Sequence, residues 1–173
     1  MSIKQIIRAL IISAIVLINV GCDQVSKNIA RKNISRQEVI QVVKSNFVLM
    51  KVENTGAAMS WGANLPPAIK IVLLQIFPSL VLIFLFIWIL TNTKFSKIRI
   101  IGLCFIIGGG IGNIYDRILY GSVTDFMYME LGFLKTGIFN MADVSVSLGT
   151  ILIFIELLQD KRKISKNCIT KTN

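Results

Sequence analysis

Apolar residues fall in four long blocks along this chain, separated by polar stretches of unequal length. The first covers residues 6–22 and is interrupted only by Arg8. The second, 71–90, carries no charge. The third occupies 100–115, between Arg99 and Asp116, and the fourth occupies 142–158, with Asp143 at its start and Glu156 inside it. A helix crosses a bilayer with roughly 17–25 apolar residues, so each block predicts a transmembrane span. The third and fourth need their flanks to reach across. Reading those two as buried helices of a soluble core leaves too little polar sequence to cover it. The pattern predicts a single integral membrane domain, mainly α, with outer segments 23–70 and 116–141 and a tail over 159–173.

The first outer segment is long enough to fold. Val25 and Ile29, interleaved with basic residues, predict a surface helix over Val25–Ile34. Glu38–Val43 and Phe47–Val52 are β-rich and flank Lys44-Ser45-Asn46, which predicts a hairpin. Leu65-Pro66-Pro67 breaks the chain before the second span.

Composition supports a membrane reading. Apolar residues make up 54% of the 173 positions and charged residues only 16%, below the quarter or so of a soluble domain. The net charge of +10 comes from 19 basic and 9 acidic residues. Lys and Arg are denser over 1–8, 91–99 and 159–173 than over the outer segments, so both ends are expected on the cytoplasmic side. Most of the acids, Asp23, Glu38, Glu53, Asp116, Asp125, Glu130 and Asp143, fall on or beside the outer face. The basic excess therefore reads as topology and anionic-lipid contact, not as nucleic-acid binding. Lys4, Arg8 and Gly21-Cys22 mimic a secretory signal and a lipidation site. Asn19 departs from the lipidation pattern and three spans follow, so Cys22 reads as an ordinary helix residue.

The chain has no histidine, and Cys22, Cys104 and Cys168 are isolated. That removes Ser-His-Asp and Cys-His catalysis and His-bearing zinc sites, and speaks against a Cys-only metal site. The polar residues near the bilayer then carry the information, because they are costly there. Asp23 and Lys27 are spaced as an i,i+4 ion pair. Asn54-Thr55-Gly56-Ala57-Ala58 is a turn when taken alone. Gly108 and Gly112 form a GxxxG pair that permits close helix packing, which leaves Asn113 unexplained. Asp116-Arg117 fits an interfacial salt bridge. Asp143 at a helix start is favoured by the dipole. Asp125, between apolar neighbours, has no such role. Two carboxylates sharing a site suit peptide hydrolysis, since their like charges keep one ionised and one protonated. Asp23, Asp116, Asp125 and Asp143 allow six pairs, and composition does not choose among them. A Ser/Lys peptidase using Ser26–Lys27 or Ser60 with Lys51, and a transporter or proton relay using the acids, are the rival readings.

Taken together, five motifs carry a resemblance. Asp23-Gln24 with Lys27, Asn54 to Ala58, Gly108 to Asn113 with Asp116-Arg117, Val123 with Asp125-Phe126, and Phe139-Asn140 with Ala142-Asp143 stand in one order over nearly the whole chain. In this the sequence resembles the lipoprotein signal peptidase (signal peptidase II) family, aspartic peptidases of the bacterial inner membrane. The resemblance implies Asp125 and Asp143 as the catalytic pair. It implies supporting or substrate-binding roles for Asp23, Lys27, Asn54, Gly56, Asn113, Asp116, Arg117 and Asn140. It implies four transmembrane helices with a small periplasmic β-cradle and a short amphipathic helix, no cofactor and no metal. Implied partners are a prolipoprotein carrying diacylglyceryl on its cysteine and membrane phospholipid, around a monomer with its site at the periplasmic face. One departure is Met59, where the family usually has Phe.

Overall fold

The first helix begins at a reciprocal cap. Ser2 Oγ accepts from Gln5 N, and Gln5 Oε1 accepts from Ser2 N. The helix then runs unbroken over Ile3–Asn33. This corrects the expectation of a separate surface helix over Val25–Ile34. Nothing after Gly21 breaks the helix, and Lys27 and Ala30 are turned inward and buried instead of lying on a membrane surface. The computed structural model describes residues 2–43 and 46–169, with side chains as far as 159. Lys44 and Ser45 of the expected hairpin turn, and 170–173 of the expected tail, lie outside the described residues.

The second helix spans Pro67–Thr91. Pro78 has no N–H to return to the preceding turn, and the helix widens into a π-helical turn over Val72–Ile76 just before it. The third helix, Lys97–Tyr120, starts at Ser96, whose hydroxyl accepts from Arg99 N. The fourth helix runs over Met141–Ile169. All four are long and apolar enough to cross a membrane, the fourth over Met141–Gln159. Each apolar block of the sequence lies inside one of them. Large apolar side chains such as Leu17, Phe84 and Ile118 point outward, as a lipid-facing surface requires.

Four antiparallel strands form one sheet in the order β1 (Val39–Val43), β2 (Phe47–Asn54), β3 (Val123–Leu131) and β4 (Leu134–Lys135). The hairpin of β1 and β2 is the expected one. Strand β3 is the addition, and it pairs with β2 from far along the chain, Val52 facing Asp125 and Asn54 facing Val123. Gly121, in the left-handed region at φ 71°, ends the third helix and turns the chain directly into β3.

Two apolar clusters hold these parts together. Ile12, Val16, Ile89, Leu103, Cys104 and Ile107 join the first three helices in the half of the bundle nearer Ser2. Ala30, Ile34, Phe126 and Met127 join the far end of the first helix to the sheet, with Phe139 and Met141 against them.

Candidate active site

Close approach of four helices begins with the glycines of the third. A Cβ on Gly108 would stand 2.6 Å from Asn19 Cβ, and one on Gly112 would stand 2.5 Å from Asp23 Oδ2, both on the first helix. A Cβ on Gly109 would strike the Ala142 carbonyl oxygen of the fourth helix, and one on Gly110 would lie 2.7 Å from Leu82 of the second. The glycine run thus serves three neighbours, one more turn of the helix exposing Asn113 and Asp116 to the same junction. Small residues let backbones approach where the bilayer supplies no hydrophobic force between helices.

At that junction the charged side chains form a buried layer. Lys27 Nζ pairs with Asp23 Oδ2 at 2.8 Å and Asp116 Oδ2 at 3.2 Å, and all three side chains are fully buried. Arg31 Nη2 adds a contact of 2.8 Å to Asp116 Oδ2. Gln24 Nε2 donates to both Asp23 and Asp116. The layer holds two acids and two bases, so it is neutral overall, as burial demands. It also fixes its surroundings. Asp23 Oδ1 accepts from Ala142 N at 2.8 Å, capping the fourth helix. Asp116 Oδ2 takes Thr124 N at 3.4 Å, tethering β3. The Asp23–Lys27 pair is therefore present, whereas Asp116 and Arg117 do not pair with each other. Adjacent helix residues do not face one another; Asp116 faces the first helix, and Arg117 Nη2 donates to Gly56 O at 2.8 Å.

Above the ions lies a layer of amides. Lys27 Nζ donates to Asn113 Oδ1 at 2.9 Å. An ammonium only donates, so Asn113 must turn its Nδ2 the other way, toward Asp143 Oδ1 at 2.9 Å. Asn140 Nδ2 donates to Asn113 Oδ1 at 3.1 Å and to Asp125 Oδ1 at 2.6 Å. Asn140 and Asp143 also cap each other: Asn140 N donates to Asp143 Oδ2, and Asp143 N to Asn140 Oδ1, each at 3.1 Å. Asp143 thus has the expected role at a helix start and offers its other oxygen to Asn113. Asn54 Nδ2 donates to Asp125 Oδ2 at 3.1 Å, while its Oδ1 accepts from Gly56 N at 2.9 Å. Gly56 is needed as glycine, since a Cβ there would sit 2.6 Å from Trp61 O.

Asp125 and Asp143 are held from different elements and meet at one cavity of about 720 Å³, shared with Asn54, Asn113, Arg117 and Asn140. Of the four candidate acids, these two line it; Asp23 and Asp116 are spent in the ion layer. Asp125 is 5% exposed. Burial raises its carboxyl from 3.8 to about 6, against the lowering effect of Asn54 and Asn140, and the nearby charge of Asp143 raises it further. Arg117 Nε is buried without a hydrogen-bond partner among the described residues. Among those residues no group of three or more acids and cysteines is placed to hold a metal.

Four residues that the sequence alone leaves without a role have one here. Arg31 Nε donates to Thr124 Oγ1 at 2.8 Å, its guanidinium lies 4.1 Å from the Tyr120 ring centroid, and Thr124 Oγ1 donates to Glu53 Oε1 at 2.9 Å. Arg31 follows Lys27 by four positions and Asp23 by eight, which is one helical face. That signal becomes visible once the first helix is known to continue.

Two solved structures described as bacterial membrane enzymes share this fold. One has a TM-score of 0.76 and 28% identity, with 87% of this chain and 88% of that chain covered. The other has a TM-score of 0.73 and 28% identity, covering 86% and 93%. The protein is in this sense a multi-pass bacterial membrane enzyme. Residues 15–159 match the family model described as signal peptidase (SPase) II. The lipoprotein signal peptidase of Enterococcus faecalis (strain ATCC 700802 / V583) is 36% identical over 143 residues, 83% of this chain and 84% of that protein. That of Clostridium novyi (strain NT) is 33% identical over 149 residues, 84% and 96%. The chain belongs to the signal peptidase II family and is a peptidase.

Proposed function

We propose that this protein removes the signal peptide from diacylglyceryl-modified prolipoproteins, cutting just before the lipidated cysteine, with Asp125 and Asp143 as a catalytic dyad. The observation that carries the dyad is the shared cavity, where both carboxylates meet and Asn140 binds both. In the proposed reaction, the ionised carboxylate of the pair takes a proton from a water molecule as it attacks the scissile carbonyl. The protonated one donates to the carbonyl oxygen and then assists departure of the amine. Burial lets Asp125 keep a proton to higher pH than an ordinary aspartate. Asn54, Asn113 and Asn140 orient the acids, and the unpaired Arg117 Nε is a donor available to the substrate backbone. The Asp23–Lys27–Asp116 layer positions these groups and takes no part in bond making.

The fold suits the substrate. The cavity lies where the third and fourth helices meet the sheet, at the expected periplasmic face. A signal helix and lipid chains can approach it from hydrocarbon while water enters from outside. We place both termini at the cytoplasmic side and read the enzyme as a monomer. The Ser/Lys alternative lacks support: Ser26 Oγ donates to Asp23 O, Lys27 is held by two carboxylates, and Lys51 Nζ donates to Arg31 O.

The test uses purified full-length protein and a diacylglyceryl-modified precursor. Asp125→Asn and Asp143→Asn should each lower the cleavage rate about a thousandfold or more, while Ser26→Ala and Ser60→Ala keep cleavage. Wild-type cleavage by either aspartate variant, stably inserted, overturns the dyad.

A further inference from the structure

At the opposite end of the bundle a second groove, of about 470 Å³, opens between the first and third helices. Its wall is isoleucine from both helices, including Ile7, Ile11, Ile15 and Ile101. Ile7 and Ile11 remain about half exposed, at 51% and 54%. Lys4 and Lys97 line it where the two helices start. The volume is in the range of small lipophilic-ligand sites, roughly 300–1,000 Å³.

The charges at the mouth distinguish this groove from ordinary lipid-facing surface. Neither Lys4 nor Lys97 has an ionic partner among the described residues, and no acid lines the groove. Arg8 also lines the groove but is already committed, donating to the carbonyls of Ile89, Leu90 and Asn92 at the end of the second helix. Its charge is solvated by carbonyls and has no acidic partner among the described residues. Neither helix has an acid in its first turn, although the dipole favours one there. Two lysines beside an apolar slot that runs toward the membrane interior fit a molecule with an anionic head and an aliphatic tail.

We propose that this groove binds one anionic phospholipid of the surrounding bilayer. Its phosphate lies between Lys4 and Lys97, and an acyl chain lies against the isoleucines. The bound lipid would bridge the first and third helices, which carry Lys27 and Asn113 at their other ends. A ligand that binds only the folded bundle raises its melting temperature.

The experiment is native mass spectrometry of the full chain released from micelles, with phosphatidylglycerol or phosphatidylcholine of identical chains added. One phosphatidylglycerol should be retained preferentially. The pair Lys4→Gln with Lys97→Gln should weaken that retention about 25-fold, each lysine near an anionic surface contributing about fivefold. Lys94→Gln, at the same end but outside the groove, should change it far less than either groove lysine does. Ile11→Trp should fill the slot and reduce retention of both lipids. Wild-type retention by the double lysine variant overturns the site. An equal loss in Lys94→Gln shows a diffuse basic surface and overturns it too. Unchanged retention in Ile11→Trp removes the acyl chain from the groove.

Discussion

The two halves of this bundle are held by different forces. Toward Ser2, the first three helices meet through Ile12, Val16, Ile89, Leu103, Cys104 and Ile107. Toward the sheet, the first and third helices and the start of the fourth meet through Asp23, Lys27, Arg31, Asn113, Asp116 and Asn140. In a bilayer the apolar half gains nothing by leaving hydrocarbon for hydrocarbon, so only fit and dispersion hold it. The polar half gains much from every partner, because an unpaired group there has no good alternative. The difference teaches where precision resides. Shape sets the packing of the apolar half, whereas donor and acceptor rules dictate the orientation of each polar side chain around Asp125 and Asp143.

Removing a charge from the polar half should produce the largest stability effect. Lys27→Met keeps the side chain's volume but leaves Asp23 and Asp116 facing each other at full burial. The loss should be about 3–5 kcal/mol, read as a lower thermal midpoint in detergent, with cleavage reduced as Asn113 loses the donor that orients it. A Lys27→Met protein as stable as wild type would show that the ion layer is dispensable.

The second effect is a pH dependence. Asp125 has its carboxyl raised from 3.8 to about 6 by burial. The folded state thus binds this proton more tightly than the unfolded state. The sign follows: this group lowers stability as pH rises from about 4 to about 6, and contributes no further slope above that. The midpoint of wild type relative to Asp125→Asn should fall across that window, by the equivalent of at most about 3 kcal/mol, and then run flat. A constant difference from pH 4 to pH 8 would contradict the raised carboxyl. The apolar half supplies the control. Ile107→Ala, at a fully buried position, should cost about 1–2 kcal/mol for the cavity and leave the pH dependence of stability and the cleavage KM unchanged.

The same contrast explains what could be read from the sequence. The four helices were legible because a bilayer imposes long apolar runs, and the β1–β2 hairpin was legible from its β-rich pairs. Strand β3 was not, although Val123, Thr124, Phe126 and Tyr128 have the right propensities, because its partner β2 lies about seventy residues away. The continuation of the first helix past Cys22 is hidden in the sequence because Lys27, Arg31 and Lys32 have the spacing of a basic face suited to a membrane surface. The partners of Lys27 and Arg31, Asp116 and Thr124, come from elsewhere in the chain. Spacing alone leaves six pairs of acids, and only resemblance singles out Asp125 and Asp143; in the fold those two line the cavity, while Asp23 and Asp116 lie in the ion layer.

Arg31 gives the smallest and most discriminating test. Its Nε holds Thr124 Oγ1, and Thr124 is the residue beside Asp125 on β3. Neighbours on a strand point to opposite faces, so Thr124 turns to the first helix while Asp125 turns to the cavity. Arg31 therefore has no route to the substrate except through the placement of β3, and is a positioning residue. Arg31→Lys retains a charge for Asp116 but loses the fork that reaches Thr124. We expect kcat to fall about tenfold through misplacement of Asp125, with KM within about twofold because the cavity lining is untouched. Thr124→Val should reproduce that loss, and the double variant should be no worse than either single one, since both break one contact. Additive losses would mean that Arg31 and Thr124 act separately, and a rise in KM alone would move Arg31 from positioning the strand to holding the substrate.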